Sequence, residues 1–508
     1  MTDTSHILDY ILQQLTYNPA EPLIFSSGLF LWLFLGFVAV YALMGRTTTL
    51  RLLFVTLFSY YFYYKSSGIY FYLLAVVTVS DFLIAKAIHS SHDRRWLSRL
   101  WLTLSIVLDL SLLAYFKYTN FFAQTIADIM GSNFQPLDIF LPVGISFFTF
   151  QSLSYTIDVY RRQITPLTNL LDYAFYVSFF PQLVAGPIVR ARDFLPQIRR
   201  PLNITSQMVG TGVFYIIGGL LKKAVISDYI SINFVERVFD APALYSGFEN
   251  MMAIYGYAMQ IYCDFSGYSD MAIGIALLLG FRFPQNFNAP YKATSISDFW
   301  RRWHISLSSW LKDYLYISLG GNRHGQFRQY LNLMITMLLG GLWHGASINF
   351  ILWGGLHGIM LCIDKMWHRI CPILSPLDAK TPAKRQANTP WRKMLKVVSA
   401  IITFHIVCTA WVFFRSSSFD SAFAMLNQIF THFQPQVVMQ WLEGYKLVAI
   451  FIATGFIMHL MPGRWANATR LTFSRMPLVV LALLMVCAIY LVVQVKSSDV
   501  QPFIYFQF

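Results

Sequence analysis

The chain has 508 residues, of which 56% are hydrophobic, 17% aromatic and only 12% charged. Soluble globular domains carry roughly a quarter charged residues, so much of the surface of this chain does not face water. The composition argues against a disordered protein, a disulfide-stapled secreted module and an ordinary cytosolic enzyme. The net charge of +14 does not indicate nucleic-acid binding, because the basic residues form short blocks between apolar runs, as beside anionic lipid.

Apolar runs and short basic blocks alternate through the first third of the sequence. The length of a run predicts a membrane span, and Lys and Arg mark its cytoplasmic side. The first run, residues 23–44, follows a segment without Lys or Arg and precedes Arg46 and Arg51, which predicts an N-terminus outside. Further crossings in this region are predicted at residues 52–64, 69–87, 101–122 and 140–157.

Residues 173–189 interrupt this alternation. The run contains Pro181, Gly186 and Pro187, and basic residues flank it on both sides. Broken backbone at membrane depth is tolerated where it packs within protein or lines a cavity. The pattern therefore favours a re-entrant segment, and a kinked span that departs from the charge rule is the alternative.

The second half of the sequence predicts further spans and one apolar hairpin. Residues 330–363 are apolar and rich in glycine, with basic segments at both ends, so we expect them to enter the membrane and turn back near His344. The remaining spans are predicted at residues 209–221, 251–279, 397–414, 447–460 and 478–493. The predicted fold class is an all-α polytopic membrane protein with about eleven transmembrane helices, plus re-entrant and interfacial helices.

His344 is the leading candidate for chemistry. Ionisable residues at membrane depth are costly and indicate function by default. Glycines lie on both sides of His344, and Trp343 precedes it, in GGLWHGA. A neutral imidazole can accept a proton from a hydroxyl; the alternative is a histidine bonded to a carbonyl of a neighbouring helix, with the glycines allowing close packing. The other candidates at this depth are Asp264, Asp270, His357, His405 and His459.

Residues 297–314 predict an amphipathic helix at the cytoplasmic interface. Ser297 or Asp298 is expected to cap its start, and His304 falls at the edge of its apolar arc. The basic face, with Arg301 and Arg302, would bind either lipid headgroups or the phosphates of a nucleotide-bearing donor, and the sequence leaves that choice open. At 100° per residue the apolar arc holds Trp300, Trp303, Leu307, Trp310, Leu311 and Tyr314.

Several common motifs are absent from the sequence. It has no GxxxxGK[ST], no GxGxxG after a strand, no HExxH, no zinc-ligand spacing and no GxSxG in a strand–turn–helix setting. These absences argue against a nucleotide-driven pump, a metalloprotease and a serine hydrolase, and no metal site is predicted.

From about Leu141 to the C-terminus, the sequence resembles the membrane-bound O-acyltransferase family. The most specific matches are DFWRRWHISLSSWLKDYLYISLGGNR, which begins at Asp298, and LLGGLWHGASINFILWGGLHG, which begins at Leu338. LPVGISFFTFQSLSY, FFPQLVAGPIVR and YCDFSGYSDMAIGIALLLGF support them. Within the family the sequence is most similar to the bacterial branch that includes the membrane subunits of alginate and peptidoglycan O-acetyltransferases.

The resemblance implies an arrangement of helices around a central funnel that opens toward both membrane faces. It implies that His344 is the catalytic histidine and His304 the second catalytic residue, orienting the donor or polarising its carbonyl. Asp264 is expected to hold a histidine tautomer. The residues expected to line the funnel or donor site are Trp303, Arg301, Arg302, Asp264, Trp343, Asp313 and Gln151.

The implied reaction is transfer of an acyl group, expected to be acetyl, from cytoplasmic acetyl-CoA, with no bound cofactor. An anionic-lipid environment in the bacterial inner membrane, an extracytoplasmic acetyltransferase partner protein and a polysaccharide acceptor are expected. The alternatives are D-alanyl or longer acyl transfer to an envelope polymer, a transporter or flippase, and a non-catalytic scaffold.

The sequence suggests four regions. Residues 1–130 would form N-terminal transmembrane helices, and residues 131–365 the catalytic core with the re-entrant segment and the interfacial helix 297–314. Residues 366–396 would form a basic cytoplasmic loop, and residues 397–508 the C-terminal transmembrane helices.

Overall fold

The computed structural model describes residues 9, 12–19, 21–44, 47–184, 186–370 and 390–495, and within them it contains helices and no β-strand. The predicted all-α class is therefore confirmed. Most of the predicted basic loop and the C-terminal segment from residue 496 lie outside the described residues, as does Arg46.

The described chain divides into two compact units. The first falls within Met1–Leu220, Gly267–Pro284 and Arg470–Gln507, and the second within Leu221–Ser266 and Gln285–Thr469. Each unit is assembled from segments that are far apart in the sequence.

The first unit is a bundle of helices with polar groups buried between them. The Asp81 carboxylate, for example, accepts hydrogen bonds from the hydroxyls of Ser105, at 2.9 Å, and Ser152. Buried polar groups of this kind require partners because no water solvates them. The helices of this unit are Gly28–Leu43, Thr48–Ser67, Phe71–Ser90, Arg95–Leu113, Thr119–Met130, Ile145–Tyr160, Leu170–Ser178, Phe180–Leu183, Ala191–Ile198, Ser206–Leu220 and Leu478–Val495, with the C-terminal end of Gly247–Leu278.

The second unit contains both predicted catalytic histidines. A short π-helical turn, Leu311–Tyr316, is among its irregular elements. Its α-helices are Asp228–Ile230, Glu236–Asp240, Ile296–Arg302, Ile305–Trp310, Gly325–His344, Ile348–Ile370, Pro390–Arg415, Phe419–Thr431, Val437–Gly444 and Lys446–Leu460, with the N-terminal parts of Gly247–Leu278 and Gly463–Phe473.

Several helices are long and apolar enough to cross a membrane. Among the described residues there are five such helices, or six if Val437–Gly444 and Lys446–Leu460, which meet at 92°, form one bent span. The predicted multi-span character is confirmed, whereas the predicted number of eleven is not. The five are Thr48–Ser90, Arg95–Met130, Ser206–Asp240, Lys393–Arg415 and Leu478–Val495.

The predicted break within residues 173–189 is present. The helix Leu170–Ser178 is followed by the short helix Phe180–Leu183, and residues 187–190 have no regular secondary structure. Side chains satisfy the groups at this break: the amides of Gln151 and Gln182 both donate to the carbonyl of Tyr176, at 2.7 and 2.6 Å. This is the role that the structure shows for Gln151, and the re-entrant course of the segment stays a prediction.

Candidate active site

The predicted hairpin around His344 is confirmed as a pair of closely packed helices. Gly325–His344 ends at the histidine, and Ile348–Ile370 runs back along it. A β-carbon at Gly341 would lie 2.2 Å from the carbonyl oxygen of Phe350, and one at Gly354 would lie 2.2 Å from that of Met337. The glycines therefore allow the two backbones to touch, as small residues do between membrane helices.

His344 lies in an aromatic enclosure and is only 3% exposed. The centre of its ring is 5.0 Å from that of Trp343, 5.0 Å from that of Trp353 and 5.4 Å from that of Phe414, all in edge-on arrangements. Gly345 follows it with extended backbone, and a β-carbon there would lie 2.1 Å from the ring of Phe350. An imidazole held in this way is shielded from bulk water and fixed in orientation.

The predicted helix 297–314 is wrong as a single helix. The chain forms Ile296–Arg302 and then Ile305–Trp310, and His304 between them has φ +43°, in the left-handed region. The expected cap is also corrected, because the Ser295 hydroxyl, and not Ser297 or Asp298, accepts from the first-turn N–H of Asp298 at 3.2 Å. All six side chains of the predicted apolar arc are nevertheless buried.

Asn286 holds the break at His304. Its side-chain oxygen is 3.2 Å from His304 Nδ1 and accepts from the backbone N–H of Ser306 at 3.1 Å and from the Ser306 hydroxyl at 2.9 Å. Its backbone carbonyl accepts from the N–H of Ile305 at 2.9 Å. These four bonds explain why the helix stops here, because Asn286 satisfies groups that would otherwise pair along a continuous helix.

His304 is fully buried among aromatic rings. Phe265 meets its ring edge-on at 4.5 Å, and Trp343 lies at 6.1 Å. His304 lies outside the helices that can cross a membrane, and burial lowers the pKa of its imidazole to about 3. The ring is therefore neutral at physiological pH.

Trp343 joins the two predicted catalytic residues. It contacts the rings of both His344 and His304. Residues 40 positions apart in the sequence are thus brought together within the second unit.

A tryptophan cluster extends the enclosure. Trp353 stacks on Trp411 with ring centres 5.7 Å apart and an interplanar angle of 18°. The predicted site residue Trp303 is fully buried, and its ring centre is 5.1 Å from that of Trp411. The sequence did not predict three members of this enclosure, Trp353, Trp411 and Phe414. A sequence pattern does not distinguish an aromatic residue that packs a core from one that encloses a reactive group.

The two predicted arginines differ in their surroundings. Arg302 Nε bonds to Asp298 at 2.9 Å, and its guanidinium also donates to the carbonyl of Asn288 at 3.3 Å, so this residue stabilises the local fold. Arg301 is exposed. Asp313 lies half-buried in the π-helical turn. Of the two basic side chains, Arg301 is therefore the more exposed.

Asp264 was expected to hold a histidine tautomer, and the structure gives it a cationic partner. Lys223 Nζ lies 2.5 Å from the Asp264 carboxylate and 2.7 Å from that of Asp228. Lys223 and Asp264 are each 3% exposed in their side chains. This largely buried triad, in which the Asp228 side chain is 19% exposed, accounts for a lysine at the end of an apolar run, because two carboxylates compensate its charge.

The other candidate histidines of the second unit, the buried His357 and His459 and the exposed His405, have structural partners. His357 Nδ1 accepts from the indole N–H of Trp300 at 3.3 Å, and His459 Nε2 accepts from the backbone N–H of Tyr291 at 3.0 Å. His405 Nε2 is 2.9 Å from the Tyr255 hydroxyl. In the part of the chain that the structure describes, no group of three or more His, Cys, Asp or Glu side chains could hold a metal ion.

Residues 95–378 match the family model described as MBOAT, membrane-bound O-acyltransferase family. The chain is 35% identical to a probable alginate O-acetylase of Pseudomonas putida, over 96% of this chain and 100% of that protein. It is 40% identical to a probable alginate O-acetylase of Pseudomonas aeruginosa, over 80% of this chain and 75% of that one. It is 39% identical to a peptidoglycan O-acetyltransferase of Helicobacter pylori, over 80% and 79%.

Proposed function

Since the chain belongs to the membrane-bound O-acyltransferase family, we propose that it transfers an acetyl group from cytoplasmic acetyl-CoA toward hydroxyls of a cell-envelope or extracellular polysaccharide. The protein is an O-acyltransferase and a multi-pass membrane protein. The acetyl group and the polysaccharide acceptor are proposed because the relatives named above are called alginate O-acetylases and a peptidoglycan O-acetyltransferase.

The observation that carries the proposal is the placement of His344. It lies at the turn of a glycine-packed hairpin, enclosed by three aromatic rings, and shares Trp343 with a second buried histidine. Acyl transfer to a hydroxyl needs a base at the reacting oxygen and a site from which water is excluded, because water would otherwise hydrolyse the thioester. This enclosure supports both requirements.

The proposed step begins when His344 accepts the proton of the acceptor hydroxyl. The oxygen attacks the thioester carbonyl, an ester C–O bond forms and the C–S bond breaks. The proton then passes from the imidazolium to the departing thiolate, so the reaction needs no further acid or base. General-base catalysis of this kind contributes on the order of 10² to 10⁴-fold, and alignment of donor and acceptor within the enclosure adds to it.

The donor is proposed to enter from the cytoplasmic side near Arg301. The exposed guanidinium of Arg301 suits a phosphate of CoA, because a planar guanidinium group can donate two parallel hydrogen bonds to the oxygens of one phosphate. We further propose that the protein lies in the bacterial inner membrane among anionic lipids, with its N-terminus outside. An extracytoplasmic partner protein would complete delivery of the acetyl group to the polysaccharide.

The proposal is tested with purified protein in liposomes, acetyl-CoA labelled in the acetyl group, and alginate as the hydroxyl-bearing acceptor. Thioester consumption is expected to fall by on the order of 10² to 10⁴-fold in His344→Ala. The matched control is His405→Ala, which removes a histidine bonded to Tyr255 and is expected to keep wild-type consumption. Normal consumption in His344→Ala would contradict the proposal, and movement of a solute without thioester cleavage would favour a transporter instead.

A further inference from the structure

The bonds around Asn286 determine which nitrogen of His304 carries the proton. A backbone N–H can only donate, so the Asn286 atom that faces the N–H of Ser306 at 3.1 Å must be the amide oxygen. The same oxygen faces His304 Nδ1 at 3.2 Å. An amide oxygen only accepts, so Nδ1 is the protonated nitrogen of the neutral ring, and Nε2 carries the lone pair.

We propose that Asn286 is a positioning residue that holds His304 in the Nδ1-protonated tautomer, so that Nε2 accepts an amide N–H of the pantetheine arm of the acyl donor. The proposal rests on the proposed function, because it takes acetyl-CoA as the donor. It assigns His304 the task of orienting the donor through its amide.

The tautomer decides between the two roles expected for His304. Polarising the thioester carbonyl requires a donated proton, and Nε2 of this tautomer has none. The neutral state of the buried ring follows from its environment, in which Phe265 and Trp343 replace water. An N–H is therefore the group that Nε2 can bind, and the pantetheine arm of CoA carries two amide N–H groups close to the thioester.

The hold on His304 is rigid because backbone bonds reinforce it. Besides the bond from Ile305 to the Asn286 carbonyl, the N–H of Asn288 donates to the carbonyl of Arg302 at 2.9 Å. The segment around Asn286 thus runs alongside the helix break and is bonded to it on both sides of His304. Because Asn286 is held in place, His304 does not exchange freely between its Nδ1-protonated and Nε2-protonated tautomers.

The tautomer itself can be measured without any turnover. In wild-type protein with ¹⁵N-labelled histidine, the His304 signals are identified as those lost in His304→Gln. We expect Nδ1 to have the chemical shift of a protonated ring nitrogen and Nε2 that of an unprotonated one. The reverse assignment, or a doubly protonated ring at neutral pH, would overturn the inference whatever the enzyme activity is.

The donor contact is tested by a cycle of two changes. Asn286→Leu removes the acceptor for Nδ1 and is expected to raise the KM for acetyl-CoA by about 5- to 20-fold with kcat little changed. With an acetyl-CoA analogue in which the amide nearest the sulfur is an ester, the wild type already lacks the contact, so the same substitution is expected to change KM by less than about twofold. An equal effect of Asn286→Leu on both donors would overturn the assignment of His304 to the amide.

Two further variants separate positioning from folding. Asn286→Asp keeps the acceptor oxygen and is expected to restore a KM near that of the wild type, but its negative charge favours the imidazolium of His304 and moves the acid limb of the pH–activity profile to higher pH. Ser306→Ala removes one donor to the same oxygen and leaves the bond to His304, so we expect little change in KM. If His344→Ala remained active, the proposed function would fail; if only the donor cycle failed, the role of Asn286 alone would be rejected.

Discussion

At the residue scale, His304 has an unfavourable backbone conformation. A residue other than glycine with φ near +43° costs roughly 1–3 kcal/mol, and such strain persists where the surroundings compensate it. Here Asn286 supplies the compensation through bonds to His304, Ile305 and Ser306. His344 needs no such support, because it ends a regular helix and its aromatic neighbours fix its ring.

A substitution of Arg301 tests the donor-binding face. Arg301→Ala is expected to raise the KM for acetyl-CoA by about 10-fold and to leave kcat nearly unchanged, because a phosphate contact stabilises ground and transition states equally. The measurement is steady-state kinetics at low and high salt. The exposed Arg323 provides the control, as Arg323→Ala should leave KM unaltered. An unchanged KM for acetyl-CoA would contradict a role for Arg301 in donor binding.

Lys223 tests the energetic weight of the buried triad. Lys223→Met leaves two carboxylates, those of Asp264 and Asp228, without their cation, and removal of one partner of a buried pair costs about 3–5 kcal/mol. We expect a clear fall in the melting temperature in detergent. The adjacent Lys222→Met should have a smaller effect, because Lys222 contacts the Tyr262 ring at 5.8 Å. Equal melting temperatures for the two variants would show that the triad is not needed for stability.

At the element scale, the sequence allowed the hairpin but not the helix break to be predicted. Basic segments on both sides of residues 330–363, with glycines between them, were enough to predict a return near His344. The interruption at His304 could not be predicted from the periodic pattern of residues 297–314. It depends on Asn286, which lies 18 positions before His304 and outside the predicted helix. A periodic pattern describes contacts within a helix, and a partner from a distant loop can override it.

Two adjacent glycines of the hairpin give a matched pair of substitutions. Gly354→Ala would place its β-carbon 2.2 Å from the carbonyl oxygen of Met337, whereas Gly355→Ala would place it 3.4 Å from Leu338 Cδ2. We expect Gly354→Ala to force the helices apart, to lower thermal stability by about 1–3 kcal/mol and to reduce activity. Gly355→Ala should be tolerated, and helix propensity slightly favours it. The measurements are thermal unfolding and acetyl transfer on both variants. Equal stability and activity of the two variants would contradict the close packing of the hairpin at Gly354.

At the scale of the whole molecule, the division into units could not be foreseen from local patterns. The predicted span at residues 251–279 is a single helix, Gly247–Leu278, yet its N-terminal part belongs to the second unit and its C-terminal end to the first. Unit membership depends on contacts between segments that are far apart in the chain. Gln151 was predicted from a motif to serve the site, and the structure shows it within the first unit, bonded to Tyr176.

Membrane orientation is tested by cysteine labelling in a variant that lacks the native cysteines. Asn322 and Gln434 are exposed; Asn322 lies in the basic segment before residues 330–363, and Gln434 follows the predicted span at residues 397–414. The excess of Lys and Arg on the cytoplasmic side of the predicted spans predicts a cytoplasmic location for Asn322→Cys and an outside location for Gln434→Cys. An impermeant maleimide added to intact cells should therefore label only Gln434→Cys. Labelling of only Asn322→Cys would invert the proposed topology.

The stacked pair Trp353 and Trp411 also gives the second unit an optical signature. Two indoles held 5.7 Å apart at a fixed tilt couple electronically, and their combined ellipticity in the near ultraviolet disappears when fixed packing is lost. Because Trp353 also touches His344, any ligand that enters the enclosure and shifts this indole changes the same signal. Ligand entry into the aromatic enclosure around His344 can thus be followed in the unlabelled protein by near-ultraviolet circular dichroism.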